Sequence, residues 1–478
     1  MAQRPRSVTR PAERTRHSDP ARHTAYLTMH AVARGAYANL ELPDQLRRAR
    51  ISGRDAAFAT ELCYGTIRMQ GLYDAIIAVA AQREVEGIDP SVLDIVRLGV
   101  HQVLGMRVPD HAAVNASVAL ARSVASRGAG GFVNAVLRRV TERSREEWIA
   151  AVTVDLTDTN ARLGAEFSHP LWIVRALRAA LLAHRVSSPD TISADLAALL
   201  QAQNRPGALT LAARPGLGAD VELREAGAEP LPAAPTAWTL SQGDPGMLQA
   251  IRDGAAAVQD AGSQLVAAAL ASAPVDGDGG RWLDLCAGPG GKAGLLAAFA
   301  RPTGASLRAN ELSEHRAELV RHTLRAVIAA GASVEITVGD GTTLGGEQPD
   351  YYDRVLVDAP CTGLGALRRR SEARWRRQPS DLTTLAPLQR ALLTSALSAT
   401  RPGGVVVYAT CSPHIAETTV VVEDVSRSFG AAQVEDVRPF VKDRFGTAYS
   451  DLGAGPWAQL WPHLHDTDGM FLAALRRT

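Results

Sequence analysis

One glycine-rich loop holds the first cluster of residues able to do chemistry. It reads Cys286-Ala287-Gly288-Pro289-Gly290-Gly291-Lys292, after an apolar run at 282–285 and before a run with Leu295, Leu296 and Phe299 on one side. That order predicts a strand, a tight turn and a helix start. Glycines let a ligand approach the backbone closely, and a helix N-terminus offers free N–H groups. Gly288 to Ala293 satisfies the loose G-x-G-x-x-[GA] pattern of nucleotide-binding loops at the end of a first strand. A phosphate-binding P-loop fits poorly. Ala293 stands where Ser or Thr should hold a metal, and Cys286 stands where the first glycine belongs. Glu311, about 20 residues on, ends a short second strand and is placed to take ribose hydroxyls. At this point a dehydrogenase and an adenosyl-cofactor transferase fit equally, and a turn without a ligand is the bland alternative.

Two later strand ends each deliver a cysteine. The strand 352–357 runs into Asp358-Ala359-Pro360-Cys361, and the strand 405–409 into Thr410-Cys411-Ser412. Either thiol alone reads as packed core. Both at the mouth of a nucleotide fold point to covalent catalysis. Carbon 5 of cytosine is too weak a nucleophile to take a methyl group directly. A thiolate adding at carbon 6 turns the ring into an enamine that can attack an electrophilic methyl. A base must then remove the carbon-5 proton so that the enzyme leaves by elimination, and an acid near N3 favours the addition. Asp358 fits that last position. Asp340, after the strand 334–338, is placed either to bond an adenine amino group or simply to form a turn.

The elements that must hold these residues follow from pattern. A chain of 478 residues predicts two to four domains, and no apolar run reaches membrane-spanning length. The four cysteines lack metal or disulfide spacing, and no signal peptide is recognisable, so a reducing cytoplasm is expected, with no metal. The net charge of +1 confines any nucleic-acid binding to local patches, and Lys292 is one of only two lysines. Residues 1–20 read as a flexible basic tail. Residues 21–145 read as an all-α domain: Leu93, Val96, Val100 and Leu104 recur at helical spacing, Asp89-Pro90 marks a start, and Gly128 to Gly131 break the chain before a helix at 132–140. Cys63 belongs to its core. Residues 146–257 form a less regular connector, with a helix opening at His169 and a strand near 209–213. Residues 258–478 carry the α/β pattern, its first helix starting within 258–264.

From about residue 259 onward the chain resembles the RNA cytosine-5 methyltransferases. The segment 58–65, Arg97-Leu98-Gly99 and the segment 131–139 resemble a NusB-like RNA-binding domain. Together they resemble the Sun/Fmu-type (RsmB-type) enzymes of bacterial 16S ribosomal RNA. The resemblance implies a Rossmann-like fold and S-adenosylmethionine as cofactor, held by Cys286 to Lys292, Glu311, Asp340 and Asp358. It implies Cys411 as nucleophile and Cys361 as the group that helps release product. Departures are mild: Gly288 for Ala, Glu311 for Asp, Thr362 for Ser, and Ser371-Glu372 for Pro followed by an acid.

The run Arg368, Arg369, Arg370, Arg374, Arg376 and Arg377 around Trp375 is expected to hold RNA, as are Arg138 and Arg139. A solvated helix is the bland reading of each. His414 and Glu417 read as a helix start that could tune Cys411, and His315 and Arg316 as surface residues. A monomer is expected. Rival functions are methylation of transfer RNA or 23S rRNA, a NAD-dependent oxidoreductase, and a non-catalytic RNA-binding or antitermination factor. The oxidoreductase leaves both strand-end cysteines unexplained.

Overall fold

The structure is a computed structural model and describes residues 19–478. The first helix, Pro20–Ala33, is capped by Asp19, so the last two residues of the expected tail belong to a helix start. The rest of that tail lies outside the described residues. The chain forms two compact units. One runs through Pro170 and includes Arg370–Glu372; the other comprises Leu171–Arg369 and Ala373–Thr478.

The first unit is all helical. Pro90–Leu104 begins as Asp89-Pro90 predicts: the Asp89 carboxylate accepts from the N–H groups of Ser91 and Val92. The glycine stretch at 128–131 does not break a helix as expected. It lies inside Arg127–Val140, capped by Ser126. Gly130 explains the exception, because a Cβ there would sit 2.8 Å from Cγ of Arg122 on the preceding helix. Close helix approach outweighs low helix propensity. Leu62, Cys63, Leu72, Ile76, Ile95, Val96, Val133 and Leu137 fill the core. Trp148 joins it, donating from Nε1 to the Val140 carbonyl at 2.9 Å.

In the second unit, residues 171–257 supply the helices Leu171–Ala183 and Ile192–Gln203 and a small four-stranded antiparallel sheet. That sheet includes Ala256–Val258, a strand where a helix start was expected; the helix begins at Ala261, with Asp260 as its cap.

The large sheet has eight strands: β1 (Arg281–Asp284), β2 (Ser306–Glu311), β3 (Ser333–Val338), β4 (Tyr352–Asp358), β5 (Thr400–Thr410), β6 (Ala432–Glu435), β7 (Ala458–Gln459) and β8 (Phe471–Arg477). Their order is β6-β8-β5-β4-β1-β2-β3, with β7 paired to β8. Strands β1 to β5 are parallel, and β8 enters antiparallel between β5 and β6. The centre is buried on both faces, so β4 and β5 are continuous apolar runs: Val355, Leu356, Val357 and Val405 to Tyr408 are all fully buried. The helices Gly291–Ala300, Glu314–Ala329, Leu382–Ala399 and Thr419–Phe429 complete the α/β pattern. Strand order reverses between β1 and β4. In open α/β sheets the ligand crevice opens at the carboxyl ends of such a strand pair.

Candidate active site

Pairing register sets the site. Asp284 of β1 pairs with Leu356 of β4, and Asp358 of β4 pairs with Ala409 of β5. The loops leaving these three strands therefore start side by side, and carry Cys286 to Lys292, Cys361 and Cys411.

The first loop is tied down by its own backbone. Ala287 N–H donates to the Asn310 carbonyl at 2.8 Å, and Gly290 N–H to the Ala287 carbonyl at 2.7 Å. Gly290 has φ +109°, and a Cβ there would meet Thr323 at 2.8 Å. At Gly288 a Cβ would lie 2.2 Å from Oε2 of Glu311, which accepts the Gly288 N–H at 2.9 Å. A Cβ there would require the Glu311 and Arg316 side-chain ends to shift. Arg316, read from sequence as a plain surface residue, pairs with Glu311 at 3.5 Å and donates to the Gly288 carbonyl at 2.5 Å. The α-helix spacing 313–317 hides this, since its partners lie a strand away. Asp340 is exposed and accepts from the N–H and hydroxyl of Thr342, which is the turn alternative.

Beneath the loop lies an acidic floor. Lys292 Nζ donates to Asp358 Oδ2 at 2.7 Å. Burial works against the Lys292 charge, but the attraction of Asp358 outweighs it and holds the pKa above its usual value. Asp284 is fully buried, and the one donor near its carboxylate is the Cys286 N–H, outside ordinary hydrogen-bond geometry. Burial first, and then the charge of Asp358, push its pKa up to about 7. Sequence reading passed over Asp284 as the end of an apolar strand. Beside the helix start, the Gln259 amide lies within 3.3 Å of where a Gly291 Cβ would be, and its Oε1 is buried with no partner. A glycine-rich cradle, an orphaned amide oxygen and three carboxylates suit a ligand bearing hydroxyls and positive charge. S-adenosylmethionine, with its ribose, ammonium and sulfonium, fits that description.

The two cysteine sulfurs are 3.4 Å apart. Their surroundings differ. The bond to Cys411, burial, and the negative charges of Glu417 and Asp358 all hold the Cys361 thiol well above its usual pKa. The cations Lys292 and Arg369 lie within electrostatic reach of Cys411 instead. Cys286 is also pushed up, mainly by burial, so it is a poor nucleophile.

The arginine run divides in two. Arg368 is buried and bonds Asp260 at 3.3 Å, Asp466 at 2.8 Å and Asp468 at 3.2 Å. Arg374 is fully buried and donates to Asn204 Oδ1 at 2.6 Å and the Gln203 carbonyl at 2.7 Å. Both are corrected here to framework residues, because a buried guanidinium spent on protein acceptors cannot also bind a phosphate. Arg369 is partly exposed and pairs with Asp468 at 2.5 Å. Trp375 is half-buried, and Arg370, Arg138 and Arg139 are exposed.

A parallel sheet with one antiparallel strand inserted, closed over a glycine loop and acidic floor, defines a Rossmann-like methyltransferase domain. The family model described as 16S rRNA methyltransferase RsmB/F matches residues 269–476, and the NusB family model matches residues 19–142. The chain is 50% identical over 467 residues to a candidate methyltransferase of Mycobacterium tuberculosis, Rv1407, covering 97% of this chain and 98% of that one. It is 32% identical to ribosomal RNA small subunit methyltransferase B of Pseudomonas putida, covering 83% and 86%. The crystal structure of PH0851 superposes with a TM-score of 0.75 at 20% identity over 96% and 99% of the two chains, a likeness of fold. The chain belongs to the RsmB/F family of rRNA methyltransferases, with a NusB-family helical domain at its N-terminal side, and its cofactor is S-adenosylmethionine.

Proposed function

We propose that this enzyme methylates carbon 5 of a cytosine in 16S ribosomal RNA through a covalent adduct on Cys411. The observation that carries the reading is the cysteine pair: two sulfurs 3.4 Å apart on neighbouring strand ends, beside the Lys292–Asp358 pair. Relatives named as small subunit enzymes support 16S rRNA as the substrate. Bound S-adenosylmethionine supplies an electrophilic methyl group.

The residues divide the work as follows. Cys411, near the positive charges of Lys292 and Arg369, adds as thiolate to carbon 6 of the flipped base. The Asp358–Lys292 pair bonds the N3 edge and stabilises the charge that develops there. Carbon 5 then takes the methyl. Cys361, held as a thiol until this point, forms part of the path by which the carbon-5 proton leaves. The electrons of that C–H bond restore the ring double bond, and the carbon 6–sulfur bond breaks to return the Cys411 thiolate. Glu311 and the loop from Cys286 to Lys292 hold the cofactor, with Glu311 on the ribose.

The test is transfer of labelled methyl from S-adenosylmethionine to a 16S rRNA transcript. Wild type should label a cytosine, Cys411→Ala should lose at least 1000-fold in rate, and Cys361→Ala should leave a protein–RNA adduct that survives denaturing gel electrophoresis. Label on transfer RNA alone would overturn the substrate. Full activity in Cys411→Ala would overturn the adduct.

A further inference from the structure

Glu417 has no part in the steps above, yet it is fully buried at the base of the cysteine pair. We propose that Glu417 is a positioning residue: its carboxylate locks the loop that carries Cys361 onto the strand end that carries Cys411. This rests on the assignment of the two cysteines given above.

The bonding runs through the immediate neighbours of both thiols. Glu417 Oε1 accepts the Thr362 N–H at 2.7 Å, and Oε2 accepts the Thr362 hydroxyl in a short bond. Thr362 follows Cys361 directly. Its hydroxyl also meets the Ser412 hydroxyl at 3.1 Å, and Ser412 follows Cys411 directly. Gln389 donates to both Glu417 Oε1 at 3.2 Å and the Pro360 carbonyl at 2.8 Å, so the residues on either side of Cys361 are held. The Glu417 backbone is fixed in turn, its carbonyl accepting the Tyr408 hydroxyl at 2.8 Å. Every hydrogen bond this carboxylate makes is to a neutral donor. An ion pair is therefore not its purpose; orienting donors is. Its charge also disfavours ionisation of Cys361.

A catalytic group displaced by an ångström loses most of its rate. Without Glu417 the Cys361 loop loses both bonds from Thr362 and Gln389 loses one of its two acceptors, while the strand end before Cys411 stays paired, Thr410 with Phe471. Release should therefore suffer before addition does. In the full-length enzyme, Glu417→Ala is expected to turn over about 100-fold more slowly. Its KM for RNA should stay within about threefold, and it should accumulate the same denaturation-resistant RNA adduct as Cys361→Ala on ordinary transcript. Glu417→Gln keeps acceptor and shape, so it should recover to within about tenfold of wild type without adduct. Thr362→Val cuts only the hydroxyl link, and it should give a weaker version of the Glu417→Ala result. It serves as the decisive variant if Glu417→Ala fails to fold, judged by loss of S-adenosylmethionine binding in calorimetry.

Turnover within threefold of wild type in the folded variants overturns the proposal. So does a loss of turnover without adduct while Cys361→Ala does form one. Absence of adduct in Cys361→Ala itself overturns the cysteine assignment instead, which separates the two failures.

Discussion

Asp284 is an acid of the site that does not behave as its type. An aspartate ordinarily titrates near 4, whereas burial and the neighbouring Asp358 raise Asp284 to about 7. The folded protein thus binds this proton more tightly than the unfolded chain does. The sign follows: below about pH 4 the group costs nothing, and stability falls as pH rises from about 4 to about 7. The cost above that range is at most roughly 4 kcal/mol, three pH units at 1.36 kcal/mol each. Asp284→Asn removes the ionisation but buries an amide that needs partners, worth about 1–3 kcal/mol. The variant is expected to melt above wild type at pH 8.5, with the difference gone by pH 5. Thermal unfolding of the ligand-free protein at both values checks it, and equal melting at pH 8.5 would mean that Asp284 has a donor holding it ionised. The acidic floor of the site is therefore bound to lower stability, as strained functional sites do.

At the scale of elements, legibility tracked how local each signal was. The loop after β1 was readable because strand, glycines and helix start are contiguous, and the ends of β1 to β5 because each closes on a polar or cysteine residue. Strand β8 was not. Phe471 to Leu475 is an unbroken apolar run, equally a buried helix or a strand by pattern, and nothing local says that it slots antiparallel between β5 and β6. The arginine run misled for the same reason. Arg368 meets Asp260, Asp466 and Asp468, each about 100 residues away in sequence, and no spacing rule reveals such partners. Once formed, that cluster joins the cap of helix Ala261–Ser272 to the segment before β8, since Asp260 also accepts the Asp468 N–H at 2.9 Å. Removing the cation leaves buried Asp260 without a counter-charge and buried Asp468 with Arg369 alone. Arg368→Ala is expected to cost about 3–5 kcal/mol, read by urea unfolding. Arg370→Ala, at an exposed position three residues before Ala373–Arg376, is expected to change stability by less than about 0.5 kcal/mol. If the two variants were equally stable, the cluster would not be the brace described here.

For the molecule as a whole, charge is the quantity that limits how it can hold RNA. Fifty-one basic residues face 50 acidic ones, and Arg368, Arg369 and Arg374 near the site are spent on internal acceptors. Long-range attraction of the whole chain to RNA is accordingly weak, and affinity must come from a few exposed cations. In the helical unit, Arg138 and Arg139 end the helix Arg127–Val140. They are not equivalent, because Arg139 donates to the Ala80 carbonyl at 2.8 Å while Arg138 is exposed. A cation that neutralises one phosphate contributes about 0.7 to 0.9 to the slope of log affinity against log salt. Arg138→Ala in the full-length enzyme is therefore expected to flatten that slope by about one such unit. The KM for RNA should rise at 0.1 M salt, with S-adenosylmethionine binding and the rate at saturating RNA unchanged. Arg139→Ala should show a similar change in slope plus a stability loss of about 1 kcal/mol from its backbone bond. An unchanged salt slope for Arg138→Ala would return that helix end to plain solvation. RNA affinity would then have to be sought at Arg369, Arg370 and Trp375.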